Sequence, residues 1–336
     1  MSTTTARQSA SDDDLLEALR PAFGDRRITA LDRRPYVFAS SYAIEELRVS
    51  LDDGSAVELM FKDLAWEQLL DAAARIKPRF LYEPRRSIEV HRHVLAPKGI
   101  GPRCYAAIAD PHRDRYWLVL ERVRGSRLSK IARFGAWETV ADWLARFHAR
   151  FADRIDEVRS ATPFLLEYGT DLYLTWCERA RASLCESEDP RAKRLLSMLE
   201  RYDESADALN ALPRTFIHGE FYSGNVLIDR TASDFRICPV DWEVAGVGPG
   251  LLDLAALTGG RWHAMQRGRL LAAYRAALLV LGADVPPVND MLVALDRCRL
   301  HFALQWVGWS PGYEGPPGRH QDWLGEALDL ADRLGL

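Results

Sequence analysis

The chain has 336 residues, 48% of them hydrophobic and 27% charged, with a formal net charge of -4 at pH 7. That length and balance can bury a sizeable core and suit two lobes, while the mild acidity provides no basic field to gather nucleic acid. Five scattered cysteines with no CxxC pair argue against a disulfide framework and against a zinc site.

Residues 1–10 are polar and read as a frayed tail, not as a secretory signal. No apolar run approaches the roughly 20 residues that span a bilayer. The expectation is a cytoplasmic protein that meets neither membrane nor nucleic acid.

Ser11 ahead of Asp12, Asp13 and Asp14 predicts an N-cap with an acidic first turn, opening a short helix through Leu19 that Pro21 and Gly24 close. β-branched and aromatic residues then alternate with polar ones from Ile28 to Phe38, from Tyr42 to Leu51 and from Ala56 to Leu64, which predicts an antiparallel meander. Residues 66–76 and 87–96 read as helices. A second strand pair spans Tyr105–Ala109 and Tyr116–Val123. From Ala136 the pattern changes to long amphipathic helices at 136–153, 164–186, 190–210, 251–258, 262–281, 289–307 and 320–334, interrupted by a hairpin region at 215–241.

The break in character places an N-terminal lobe at 1–121 and a helical C-terminal lobe at 122–336, with a cleft between them. Trp306, Trp309, Tyr313 and Trp323 are either core or one wall of that cleft. His91, Arg92 and His93 read as a solvated helix face.

The densest chemistry lies in His218-Gly219-Glu220-Phe221-Tyr222-Ser223-Gly224-Asn225-Val226-Leu227, followed by Val240-Asp241-Trp242-Glu243. Val226–Asp229 and Phe235–Val240 form two short apolar strands joined by a turn-rich loop. Antiparallel pairing then brings Asn225 and Asp241 side by side at the open end. One carboxylate and one amide oxygen suit magnesium, which completes its octahedron with water and substrate phosphates. Glu220 on the same loop supplies a general base or a third oxygen.

This segment resembles the catalytic loop and metal-binding strand end of the aminoglycoside phosphotransferase family, relatives of the protein kinases. Glu243, Gly246, Gly248, Pro249, Gly250 and Asp253-Leu254-Ala255 continue the likeness. It implies a glycine-rich turn after Asp241 and then a helix begun by Asp253, an acidic residue favoured there by the helix dipole and placed to brace the site. The resemblance implies an α+β, protein-kinase-like fold with a small antiparallel-sheet lobe and a larger helical one. It implies that Asn225 and Asp241 hold Mg2+, that Glu220 accepts the proton of a substrate hydroxyl, and that His218 braces the loop. Glu220 stands where the family usually has Asp.

In the strand lobe, Lys62 alternates with the apolar trio Val57, Leu59 and Phe61 and sits on the third strand, where a kinase-like lobe places a lysine against the nucleotide phosphates. Glu89 is the expected carboxylate partner of Lys62, with Glu83 the alternative. Ser40 and Ser41, in a loop without glycine, would cover the phosphates, and Glu121-Arg122-Val123 would be the hinge against an adenine. The expected function is transfer of the γ-phosphoryl group of ATP, or GTP, to a hydroxyl of a small molecule such as an antibiotic, sugar or related metabolite. The rivals are an inactive nucleotide-binding relative and a kinase acting on protein side chains, the latter disfavoured by the short segment after Asp241. Acceptor identity and oligomeric state stay open.

Overall fold

The computed structural model describes residues 10–37, 41–229, 235–260, 262–309 and 321–336. The first element, α1 (Asp12–Phe23), is capped as expected by the Ser11 side chain, which accepts from the Asp14 N–H. It runs past Pro21 instead of stopping there. Leu15, Leu19 and Phe23, spaced by four, form one buried stripe, and burying Phe23 outweighs the single hydrogen bond that a proline removes from a last turn. Ala10 is buried and its carbonyl accepts from Arg33, so the last residue of the segment expected to fray is packed against the strand at Ile28–Pro35.

Strands β1 (Ile28–Pro35), β2 (Ile44–Leu51) and β3 (Ala56–Asp63) form the meander. Between β3 and the next strands lie two helices, α2 (Asp71–Ile76) and α3 (Pro84–Glu89). With β4 (Cys104–Asp110) and β5 (Arg115–Glu121) the strands make one antiparallel sheet of order β1-β2-β3-β5-β4. Alternation along β3 sends Leu59 and Phe61 to the face covered by α1, where they join Leu47, Val49, Trp117 and Val119. Lys62 pairs in register with Leu118, and Leu118 packs on the opposite face with Tyr42, Leu69, Ala73 and Ile88. The sheet is thus covered on both sides, and Lys62 rises on the side of α2 and α3.

The expected helix at 66–76 is broken because its backbone is used elsewhere: Leu69 bridges Tyr42, and the Leu70 N–H donates to the Ser41 carbonyl at 2.9 Å. Only a 3₁₀ turn at Trp66–Gln68 and the short α2 survive. The helix expected from 87 begins earlier, with Pro84 in its first turn and the Glu83 carboxylate as cap, then widens into a π-helix at Val90–Leu95. His91 is buried within it, its Nδ1 2.8 Å from the Ser87 carbonyl. The solvated face expected there is therefore limited to Arg92 and His93.

Beyond β5, the short β6 (Gly125–Arg127) leads into α4 (Phe134–Ala152) and α5 (Ile155–Ala161). Next come β7 (Leu166–Glu167), α6 (Thr170–Cys185), α7 (Pro190–Met198) and α8 (Tyr202–Asn210). Four more short strands follow, β8 (Arg214–Ile217), β9 (Val226–Asp229), β10 (Arg236–Pro239) and β11 (Gly246–Pro249). The chain closes with α9 (Gly250–Leu257), α10 (Ala264–Val280), α11 (Val288–Trp309) and α12 (Trp323–Leu334). Two three-stranded sheets, β10-β9-β6 and β7-β11-β8, are set into the helices. The β9–β10 hairpin falls where expected. Among the described residues, no helix is long and apolar enough to cross a membrane.

The glycine-rich stretch after Glu243, expected as a turn, is a buried strand. A Cβ at Gly246 would lie 2.3 Å from the Leu166 carbonyl oxygen and under 3 Å from the Tyr168 ring. At Gly248 it would lie 2.6 Å from Tyr168 Cβ. The glycines are there because β7 and Tyr168 lie directly on the backbone. Gly246→Ala should accordingly cost about 2 kcal/mol through overpacking, read as a lower urea midpoint at unchanged slope. A variant as stable as the parent would mean that the β7–β11 pairing has slack the packing does not show.

Candidate active site

The β9–β10 hairpin pairs Val226 with Pro239 and Asp229 with Arg236. One step beyond, the Val240 N–H donates to the Asn225 carbonyl at 2.8 Å, so Asn225 and Asp241 emerge together at the open end, as their spacing predicts. Asp241 turns the chain with a φ of 72°, a left-handed conformation that costs a non-glycine residue about 1 kcal/mol or more. Trp242, fully buried behind it, anchors the turn.

Opposite Asp241, Lys62 Nζ donates to its Oδ1 at 2.8 Å. Lys62 also donates to Glu243 Oε1, while the other oxygen of Glu243 accepts from Lys77. Both ammonium groups lie over the Tyr42 ring, 5.3 and 5.0 Å from its centroid. The buried Arg86 donates to the backbone carbonyl of Glu243, to that of Leu81 at 2.9 Å and to that of Phe164 at 2.7 Å. Burial pushes the Glu243 carboxyl up, but the Lys62 and Lys77 charges outweigh it and hold the group well below the usual carboxylate range. For Lys62, burial favours the neutral amine, yet Asp241 and Glu243 together keep it firmly protonated.

The loop bearing Glu220 is fixed from below by Asp253, which lies in the first turn of α9 and is fully buried. Its Oδ2 accepts from the His218 N–H at 2.7 Å and its Oδ1 from the Gly219 N–H at 2.8 Å. His148 Nε2 lies 3.2 Å from the same carboxylate, and its Nδ1 lies 2.9 Å from the Tyr274 hydroxyl. Gly219 has a φ of 84°, and a Cβ there would meet the Tyr168 hydroxyl at 2.2 Å, so glycine is required on both counts. His218 Nδ1 accepts from the Glu220 N–H at 3.2 Å, which leaves Nε2 to donate to the Val240 carbonyl at 2.9 Å. Burial disfavours the protonated ring. A neutral His218 therefore ties the loop to the strand end that carries Asp241.

Burial pushes the Glu220 carboxyl up to about 8, reinforced by the Asp241 and Glu243 carboxylates and opposed by Lys77 and Lys62. Its backbone carbonyl accepts from Asn225 Nδ2 at 3.0 Å. The amide nitrogen is thereby committed, and the amide oxygen of Asn225 is the atom left for a cation. Asp241 carboxylate and Asn225 amide oxygen are the hard donors magnesium takes. Among the described residues there is no cluster of three or more His, Cys, Asp or Glu able to hold a metal by itself. The donor set fits Mg2+ only as a partial shell that a phosphate-bearing ligand completes.

Not every expected residue joins this group. Glu89 binds Arg92 and His93 at 2.8 and 2.9 Å and not Lys62. Glu83, the alternative, is spent on capping α3 and on Arg85. The π-helical widening after Glu89 and the bond from Lys62 to Glu243 together explain the difference. Ser40 lies outside the described residues, and Ser41 uses its carbonyl in the bridge to Leu70. At the hinge, Glu121 is tied to Arg236 and to the Arg103 N–H. The Val123 carbonyl accepts from Gly125, and its N–H donates to no described group. Sequence reasoning missed Lys77, Arg86 and Tyr168, whose contacts with the site span tens to more than a hundred residues and leave no local pattern.

An aromatic chain leads away from the loop. The Tyr222 hydroxyl accepts from Trp306 Nε1 at 3.0 Å. Trp306 stacks on Trp323 with centroids 5.5 Å apart and tilts against Trp309 at 5.9 Å, and Trp309 stacks on Trp176 at 5.6 Å. Trp306, Trp309 and Trp323 are half-buried, so they serve both as packing and as exposed wall. Tyr313, the remaining aromatic expected there, lies outside the described residues.

An acid whose folded pKa stands above its ordinary 4.5 binds its proton more tightly in the native state. Native stability contributed by Glu220 is therefore present below about pH 4.5 and is lost as pH rises through about 8. Glu220→Gln cannot ionise and should escape that loss. In metal-free and nucleotide-free buffer its Tm should exceed that of the parent by at least about 2 °C at alkaline pH and converge with it under acid conditions. A constant offset in calorimetry across pH would show that Glu220 titrates near its ordinary value.

A model of the phosphotransferase enzyme family matches residues 59–289. A comparison with curated protein sequences gives no match. Among solved structures, the chain is similar to a mutant aminoglycoside 2'-phosphotransferase-IIIa bound to GDP, with a TM-score of 0.58, 12% identity and 97% of each chain covered. It is similar to a choline/ethanolamine kinase family protein from Mesorhizobium loti, with a TM-score of 0.56, 17% identity and coverage of 96% of this chain and 93% of that one. For an ethanolamine kinase from Plasmodium vivax the values are 0.53, 14%, 91% and 82%. These likenesses establish the protein-kinase-like fold, and with a family match over most of its length the chain belongs to the phosphotransferase enzyme family.

Proposed function

We propose that this phosphotransferase moves the γ-phosphoryl group of ATP, or of GTP, to a hydroxyl of a small molecule in the cytoplasm, in the cleft between residues 1–121 and 122–336. One observation carries the reading: Lys62 from β3, Glu220 and Asn225 from the loop between β8 and β9, and Asp241 from the end of β10 converge on one polar site, with Lys62 2.8 Å from Asp241 and Asn225 fastened to Glu220. Lys62 orients the phosphates. Asp241 and the Asn225 amide oxygen would hold Mg2+, which when bound neutralises charge on the phosphate oxygens. The Val123 N–H offers a hinge donor to a purine edge.

Glu220 accepts the hydroxyl proton. Its affinity for a proton, raised to about 8, lies near a working pH, where a general base is most effective. His218 and Asp253 do not touch substrate in this reading; they fix the loop that presents Glu220. Tyr222, two residues on, opens the aromatic wall of Trp306 and Trp323, which suits an acceptor with an apolar or glycosidic face. Relatives named as an aminoglycoside phosphotransferase in a GDP complex and as an ethanolamine kinase support both the reaction class and the alternative nucleotide.

The test is transfer of label from γ-labelled ATP or GTP to a panel of aminoglycosides, macrolides, sugars and amino alcohols. Labelled product that requires Mg2+ is the expected result; nucleotide binding without transfer to any hydroxyl would leave a binding module. Asp241→Asn should abolish transfer while the protein stays folded, and Glu220→Gln should cut it by roughly a hundredfold or more while nucleotide still binds.

Because Asp241 and Asn225 supply only part of a coordination shell, Mg2+ alone should leave Tm unchanged. Mg2+ with nucleotide should raise it, a shift that thermal denaturation reads directly. A clear rise with Mg2+ alone would mean that the protein holds the ion without phosphate.

A further inference from the structure

Resting on the reading that Lys62 orients nucleotide phosphates, we propose that Glu243 is the residue that positions Lys62 for that task, with Lys77 as its counter-charge. The helix carboxylates available from α3 are occupied, Glu83 by Arg85 and the helix cap and Glu89 by Arg92 and His93. The lysine ammonium has three donors. One reaches Asp241 and one reaches Glu243. Asp241 is the residue a cation would claim, so Glu243 is the fixed carboxylate that stays with Lys62 when the site fills.

Glu243 is itself held in place at several points. Its Oε2 accepts from Lys77, at the end of α2, and its backbone carbonyl accepts from Arg86 of α3. The side chains of Lys62, Lys77 and Glu243 are only 17%, 9% and 13% exposed, so little water is at hand to replace a missing partner. The polarity of the arrangement is the reverse of a strand lysine paired to a helix glutamate. Here the helical segment supplies a second lysine, and the carboxylate between the two comes from the chain just after Asp241. Any shift of α2 and Lys77 is thereby transmitted through Glu243 to the lysine at the phosphates, which makes Glu243 and Lys77 positioning residues.

The experiment is a double-mutant cycle on nucleotide affinity, measured by calorimetric titration of the full chain with ATP·Mg and GTP·Mg. Lys62→Met and Glu243→Gln should each weaken binding by roughly tenfold or more, and the double variant should be little worse than Lys62→Met alone, since Glu243 acts through Lys62. Lys77→Met should weaken binding in the parent and have little effect once Lys62 is Met. If Glu243→Gln does not fold, Glu243→Gln/Lys77→Met, which deletes one buried cation along with the carboxylate, takes its place in the cycle. Effects of Lys62→Met and Glu243→Gln that multiply independently would overturn the positioning role while leaving the nucleotide reading intact. A parent protein that binds neither ATP·Mg nor GTP·Mg would overturn both.

Discussion

The carboxylate of Glu243 is divided between two lysines from the N-terminal half, and its backbone carbonyl is bound by an arginine from the same half. Three cations from β3, the end of α2 and α3 thus converge on one residue that follows the β9–β10 hairpin. Removing one partner from a buried ion cluster costs about 3–5 kcal/mol because the remaining charges stay desolvated. The sheet, α2 and α3 are therefore registered against the hairpin by charge as well as by apolar contact, and the position of Lys62 relative to Asp241 follows from that registration. Tyr42, beneath both ammonium groups, gives the cluster an aromatic floor.

A second constraint acts from the other side of the site. Asp253 places both oxygens on consecutive backbone N–H groups, those of His218 and Gly219, at the first turn of α9 and deep in the core. Charge-assisted bonds of this kind are worth roughly twice neutral ones, and here they fix a glycine in a left-handed conformation against Tyr168. His218 then carries the constraint across to Val240, next to Asp241. Loop and strand end are tied to each other and to α9, so the distance between Glu220 and Asp241 is set by the scaffold. Both constraints hold a residue at positive φ where the chain must leave the regular ladder, Asp241 at a cost and Gly219 without one.

Much of this was legible in the sequence. The β9–β10 hairpin and the adjacency of Asn225 and Asp241 follow from two short apolar runs and a turn, since antiparallel register is a local matter once the turn is known. The two faces of β3 follow from period-two alternation, and the Ser11 cap follows from residue type. Asp253 was recognisable as a brace from its place at a helix start. Elements were misjudged where distant backbone competed for the same groups. Leu69 and Leu70 bond the segment before β2 instead of continuing a helix, Leu166 and Glu167 bond β11, and the glycines of β11 answer to Tyr168 rather than to a turn.

By itself the sequence determined the chemistry present: which carboxylates, amide and lysine are available, and the local geometry that puts Asn225 beside Asp241. Only the tertiary structure decided which charges are shared. Lys62 and Glu243 are separated by 181 residues, Lys77 and Glu243 by 166, and any of several acids satisfied a local pattern for pairing with Lys62. The choice fell to Glu243 because Glu83 and Glu89 find arginines within a turn of themselves at almost no entropic cost. The buried lysines took the carboxylates that packing brought to them, Asp241 and Glu243 for Lys62 and Glu243 for Lys77.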